Sequence, residues 1–136
     1  MYELFEHTAD VGLRMRAADL KGLMEDAGHA LFSVITANLD DVRPVQQVQV
    51  EIVGDQADEL LRDWLGELLY IFHTRHLLLS RFEVELTQPG LKATAWGEPV
   101  DPGRHQLDVE IKAVTWHGLT VQQEADGWMA EVIVDI

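Results

Sequence analysis

The chain has 136 residues, a length typical of one compact domain, so we expect a single domain over residues 1–136. It has no cysteine, which excludes a disulfide framework, a thiolate nucleophile and a thiolate zinc site. Its 24 acidic residues outnumber 10 lysines and arginines, for a formal net charge of −14. Nucleic-acid binders need cations to neutralise phosphates, so we expect no direct nucleic-acid binding. This charge instead suits docking on a basic protein or holding a divalent cation, although an acidic surface also simply aids solubility.

The sequence gives no sign of export or membrane residence. Residues 1–6 have neither the basic start nor the apolar core of a signal peptide. The longest apolar runs are far shorter than the ~20 residues that a membrane helix needs. We therefore expect a cytoplasmic protein without membrane association.

The first half of the chain predicts a strand, a helix and a second strand. Apolar and basic residues alternate over 13–16, as in a half-buried strand. Helical periodicity begins after Asp19, a suitable N-cap, and continues to about residues 36–38. The apolar stripe of this helix comprises Leu20, Leu23, Met24, Ala27, Ala30, Leu31, Val34 and Ile35. Alternation over 47–52 then predicts the next strand.

A second helix is predicted more strongly, because apolar residues repeat as pairs four positions apart. These are Leu60, Leu61, Trp64, Leu65, Leu68, Leu69 and Phe72. Asp55 or Asp58 can cap the start of this helix. His73 and His76 fall in its last turn, where cationic groups suit the helix dipole. Their spacing would also allow them to share a metal ion.

The rest of the chain predicts a run of strands. Polar and apolar residues alternate over 82–86 and 107–113, and the turn at 126–127 introduces a hairpin into a final strand over 128–133. The order strand, helix, strand, helix and strands predicts an α+β fold. We expect two layers, with a mixed or mostly antiparallel sheet carrying two helices on one face.

Two aspartates near the chain ends are the leading candidates for chemistry. Asp10 interrupts the entry to the first strand, close to His7. Asp135 lies in the apolar segment 128–136, which we expect to be held in the sheet. With the α-carboxylate of Ile136, the aspartates would offer the oxygen ligands that Ca²⁺, Mg²⁺ or Mn²⁺ prefers. The alternative is an ordinary edge strand with solvated acids.

Four other residues have weaker functional indications. Lys112 shares a predicted strand face with two acidic residues, so a structural salt bridge is its simplest explanation. Glu67 lies at the edge of the second helix's apolar stripe, as a rim carboxylate or as the neighbour of a site. His7 and His117 could serve as bases beside a metal ion.

Four segments together resemble the archease family. They are residues 7–12 (His-Thr-Ala-Asp-Val-Gly), 64–70 (Trp-Leu-Gly-Glu-Leu-Leu-Tyr), 111–117 (Ile-Lys-Ala-Val-Thr-Trp-His) and 127–136 (Gly-Trp-Met-Ala-Glu-Val-Ile-Val-Asp-Ile). The segments come in the family's order and span nearly the whole chain. The departures are small: Gly66 stands where the family often has Asn or Asp, and Trp116 where Tyr is common.

The resemblance implies a protein cofactor rather than a stand-alone enzyme. Archeases assist the GTP-dependent ligase of tRNA splicing and RNA repair, and are held to speed guanylylation of its active-site histidine and to permit multiple turnovers. The resemblance also implies a fold akin to the SHS2 module. It implies a divalent-cation site at Asp10, Asp135 and Ile136, with Ca²⁺ as the first choice of bound ion and Mg²⁺ or Mn²⁺ as alternatives. By the same resemblance, Glu67 and Lys112 would modulate activity around that site.

Two other functions remain open on the sequence. One is a general chaperone or modulator of nucleic-acid-processing proteins, which would have no dedicated catalytic partner. The other is a small metal-dependent hydrolase that uses Asp10 and Asp135, with His7 or His117 as the base. Activity of the isolated protein on phosphodiesters would distinguish the hydrolase from the other two.

Overall fold

The computed structural model describes residues 1–7 and 10–136, without the side chain of His7. It contains two long helices among antiparallel strands. The strands are β1 (Tyr2–His7), β2 (Asp10–Ala17), β3 (Gln46–Ile52), β4 (Leu77–Thr87), β5 (Gly90–Pro99), β6 (Ala113–Val114), β7 (Thr120–Glu124) and β8 (Gly127–Asp135). The helices are α1 (Leu20–Ile35) and α2 (Ala57–Arg75), with a short 3₁₀ turn at Leu39–Asp41. This confirms the α+β class.

The strands form two sheets rather than the one sheet that we expected. Over the described residues, the first sheet has the order β1-β2-β8-β6, with β7 also paired to β8, and the second has the order β3-β5-β4. Every pairing is antiparallel. Helix α1 contacts strands of both sheets, so one apolar core runs through both. Alternation identifies half-buried strands but not which strands pair, and this is why the division was not predicted.

Helix α1 matches its predicted start and its apolar stripe. The Asp19 carboxylate accepts a hydrogen bond from the Gly22 amide at 2.7 Å, which satisfies one of the unpaired donors at the helix N-terminus. The helix ends at Ile35, where Thr36 adopts an extended conformation.

Helix α2 has the predicted apolar stripe but a different start. It begins at Ala57, and the preceding Gln56 makes no side-chain capping bond, so neither Asp55 nor Asp58 is the N-cap. Trp64 is fully buried, and its Nε1 donates to the Met24 carbonyl of α1 at 2.8 Å, which fixes the two helices together. Within the described residues, neither helix combines the length and the apolar character that crossing a membrane requires.

The predicted strand over 107–113 is largely wrong. Of this segment, only residue 113 belongs to a strand, β6, and Leu107 makes a single bridge to Thr36. The remainder runs alongside α2, where the His73 ring donates through Nε2 to the Ile111 carbonyl at 3.0 Å. Contacts with a helix replace strand pairing here, although the local polar and apolar alternation is that of a strand.

Candidate functional site

Strand pairing brings the two candidate aspartates together from opposite ends of the chain. Strands β2 and β8 pair with Asp10 directly opposite Asp135. On the other side of β2, the backbone of His7 lies opposite Asp10. Directly opposed residues of an antiparallel pair project to the same face, with Cβ atoms about 4.5–5.5 Å apart. The two carboxylates therefore extend from adjacent positions on one face of the first sheet.

The face that carries these aspartates is the outer face of the sheet. Leu13 and Met15 of β2 are fully buried in the core, and side chains alternate along a strand. Asp10 consequently projects away from the core, and both aspartates are half-buried. A ligand or a partner protein can reach this face.

A rigid stack lies beside the aspartates on the same face. A Cβ atom at Gly12 would lie 2.2 Å from the Phe5 ring, so only glycine lets that ring lie flat on the strand. The Arg14 guanidinium lies over the same ring, 4.7 Å from its centre. Arg14 also donates through Nε to the Glu131 carboxylate at 2.8 Å, and hydrogen bonds from Arg14 to Glu131 and Glu3 raise its pKa. This stack links β1, β2 and β8 next to Asp10.

The backbone around Asp135 is held on two sides. Its carbonyl accepts a hydrogen bond from the Lys112 amide at 2.7 Å, and it lies opposite Ala113 of β6. Ile136 is half-buried and packs against the core. The end of β8 is therefore fixed beside both β2 and the segment that contains Lys112.

The aspartate pair sets two carboxylates opposite each other. Like charges directly opposite each other across two strands destabilise the pairing. The Lys112 side chain is exposed and makes no hydrogen bond or ion pair with a described residue. The described residues contain no cluster of three or more His, Cys, Asp or Glu able to hold a metal. The donors available here are hard oxygens, the type preferred by Ca²⁺, Mg²⁺ and Mn²⁺.

Comparison with known proteins identifies the family. The model of the Archease protein family (MTH1598/TM1083) matches residues 2–136. The chain belongs to the archease family. It is 41% identical to the protein archease of Methanopyrus kandleri over 99% of each chain.

Two solved structures share the fold of this archease-family chain. The solution structure of Methanobacterium thermoautotrophicum protein 1598 has a TM-score of 0.87 and 37% identity, covering 99% of this chain and 98% of the other. The crystal structure of a Thermotoga maritima archease, described as a possible chaperone, has a TM-score of 0.71 and 19% identity, covering 100% of this chain and 98% of the other. The second likeness supports the fold alone.

Glu67 lies on the exposed surface of α2 in this archease-family chain. Its side chain makes no hydrogen bond or ion pair with a described residue. Trp116 lies 4.7 Å from the Arg62 guanidinium, and therefore marks the flank of α2 that faces the segment after β6. A helix turns about 100° per residue, which puts Glu67 about 140° around α2 from Arg62.

The two candidate histidines lie in different parts of the chain, one after β6 and one at the end of β1. His117 is exposed in the turn after β6, where its amide donates to the Thr115 hydroxyl at 3.2 Å. The backbone of His7 is at the aspartate pair, but its side chain is outside the described part of the structure, as are Thr8 and Ala9 of the first family segment.

The sequence analysis named the candidate site residues but did not predict the contacts that hold the site in place. The stack of Phe5 and Arg14 on Gly12 was not anticipated, although an isolated glycine in an alternating strand is a signal of close approach. It also missed a buried ionic cluster in which Glu98 is held by Arg104 and His105. Its residues come from β5 and the following loop, and no local pattern marks them as partners.

Proposed function

We propose that this chain is a protein activator of the GTP-dependent RNA-splicing ligase. It would promote guanylylation of the ligase histidine and multiple turnovers in tRNA splicing and RNA repair. Membership of the archease family supports this role. The observation that carries the site is the register that sets Asp10 opposite Asp135.

The proposed metal centre consists of the Asp10 and Asp135 carboxylates and the α-carboxylate of Ile136. Three carboxylates provide hard oxygen donors, with Ca²⁺ as the first choice of bound ion and Mg²⁺ or Mn²⁺ as alternatives. A bound cation would offset the repulsion between the opposed aspartates, and in a complex it would supply positive charge near the GTP phosphates. The chain's own part is to hold the donors in a fixed sheet, through the Lys112 amide at Asp135 and the covered Gly12 strand.

Surface charge supports action through a protein partner. The net charge of −14 is complementary to an enzyme that handles RNA on a basic surface, and complementary fields speed encounter. Lys112 lies beside the proposed centre, so we propose that it modulates activity by contacting the partner or its nucleotide. Glu67 is exposed on α2, and we propose that it likewise modulates activity by contacting the partner.

The direct test is formation of the ligase–GMP adduct, with the ligase from the same organism, GTP and Mn²⁺. Wild-type protein should accelerate adduct formation and allow many ligations per ligase. Asp10→Asn and Asp135→Asn should lose that acceleration, because each removes one carboxylate charge without changing side-chain size. Asp126→Asn is the matched control, because Asp126 occupies the turn at the opposite end of β8.

Each outcome of this test has a separate meaning. Acceleration that survives both aspartate variants would support the partner and refute the metal centre. No acceleration by the wild-type protein would refute the ligase role. Protection of unrelated proteins from aggregation would then favour a general chaperone, the description attached to the Thermotoga maritima structure.

A further inference from the structure

A mostly apolar pocket of about 340 Å³ lies between the end of α2 and the segment 107–112. Its lining includes Ile35, Phe72, Leu107 and Val109. Its volume falls within the roughly 300–1,000 Å³ of ligand sites. Leu107 is 53% exposed at this pocket, an unusual position for a large apolar side chain beside a cavity.

Two carboxylates join the apolar lining at this pocket. Asp108 and Glu110 both line it and are both exposed. Neither forms an ion pair with any residue that the structure describes. Two histidines, His73 and His76, complete the lining, and His73 is hydrogen-bonded to the Ile111 carbonyl. The pocket therefore combines apolar walls with two carboxylates that form no ion pair with a described residue.

The segment 107–112 lies almost entirely outside the strands and is fixed at two points. The Asp108 amide donates to the Ile35 carbonyl at 2.8 Å, and the Lys112 amide donates to the Asp135 carbonyl at 2.7 Å. Between these points, the amides of Val109 and Glu110 donate to no acceptor in the described chain, whereas Ile111 is buried and its carbonyl accepts a hydrogen bond from His73. Accessible backbone amides without a partner are sites at which a further strand can pair.

We infer that the segment 107–112 and its pocket bind an extended segment of a basic protein partner. The partner's backbone would pair with residues 109–110, an apolar side chain would enter the pocket, and flanking lysines or arginines would face Asp108 and Glu110. Charge complementarity identifies this occupant, because both the pocket and the whole chain are negative. The inference is independent of the proposed ligase role, since it names the chemistry of the bound segment and not the protein that carries it.

The probe for this surface is a capped peptide that alternates leucine with arginine. Binding is followed by amide chemical shifts and hydrogen exchange in the isotope-labelled full chain. We expect shifts around 107–112 and slower exchange of amides 109 and 110 in the complex. A peptide with serine in place of leucine should bind much more weakly, because it has no group to fill the pocket.

The decisive variants are two doubly substituted proteins with the same change in charge. Asp108→Asn with Glu110→Gln should weaken peptide binding about tenfold, the effect of losing two exposed ion pairs. Glu51→Gln with Glu85→Gln is the matched control, because both residues are exposed on the second sheet. The control should bind like wild type.

Three results would overturn the inference. Equal weakening in both double variants would mean that only the general charge attracts the peptide. Shifts confined to residues outside 107–112 would assign binding to another surface. Absence of binding to the basic peptide at millimolar concentration would show that the segment accepts no such strand.

Discussion

Glu98 is the one acidic residue that is buried in the described part of the chain, so replacing it with glutamine perturbs a defined cluster. One carboxylate oxygen accepts a hydrogen bond from the Arg104 guanidinium. The other accepts from the Arg43 amide at 2.6 Å and from His105 Nε2 at 3.2 Å. The His105 Nδ1 accepts from the Asp101 amide at 2.8 Å, so the ring proton is on Nε2 and the ring is a donor to Glu98. Glu98→Gln removes the charge that joins these groups.

Two lines of reasoning give a similar loss of unfolding free energy for Glu98→Gln. Burial alone would raise the pKa of Glu98, but hydrogen bonds from Arg104, Arg43 and His105 outweigh it and lower the pKa from 4.5 to about 2. At 1.36 kcal/mol per pKa unit, that shift corresponds to about 3 kcal/mol of folding free energy. Removing one partner of a buried ion pair typically costs about 3–5 kcal/mol. We therefore expect Glu98→Gln to lower the free energy of unfolding by about 3 kcal/mol near neutral pH.

The pH dependence of unfolding provides the second part of this test. Because the pKa of Glu98 is lower in the folded state, its stabilisation is fully present above about 4.5 and is lost as pH falls towards about 2. Urea unfolding of wild type and variant should therefore converge over that range. Glu85→Gln, on an exposed strand position, controls for removal of one charge. A difference below about 1 kcal/mol near neutral pH, or one that does not shrink in acid, would refute the reasoning.

Three further predictions concern the supports of the proposed site and the core. Gly12→Ala should displace the Phe5 ring, whose atoms come within 2.2 Å of the added Cβ, and should lower the urea midpoint of unfolding. An unaltered midpoint would contradict the close packing. Trp64→Phe should lower the unfolding free energy by about 1–3 kcal/mol, because the Met24 carbonyl loses its donor; calorimetry that finds no change would contradict this. A C-terminal extension that converts the Ile136 carboxylate into an amide should weaken Ca²⁺ binding, and unchanged affinity would exclude that carboxylate as a ligand.

The sequence predicted local elements much better than their assembly. The stripe of α1 and its Asp19 cap, the stripe of α2 and the final hairpin follow from periodicity and turn residues, and all are present. The strand predicted over 107–113 was wrong because alternation reports which side chains are half-buried, not whether the backbone has a partner strand. The cap predicted for α2 was wrong because two nearby aspartates are equally suitable by composition, and neither has the capping geometry.

The candidate site was predictable only in part. The apolar final segment indicated that Asp135 would be held in the sheet, and β8 does carry it. Its register with Asp10 could not be read from the sequence, because pairing of distant strands depends on the whole sheet. The position of Glu67 relative to the pair likewise depends on how α2 packs against the core, which local spacing leaves undefined.

The most direct measurement of the central claim is a Ca²⁺ titration of the full chain, monitored by calorimetry and by amide chemical shifts. The titration is repeated with Mn²⁺, whose paramagnetism broadens the signals of nearby residues. We predict one site, with shifts and broadening centred on Asp10 and Asp135. Asp10→Asn and Asp135→Asn should each abolish this binding, whereas Asp126→Asn should keep it. Binding that persists in both aspartate variants, or that broadens residues elsewhere, would contradict a metal centre at the opposed aspartates of β2 and β8.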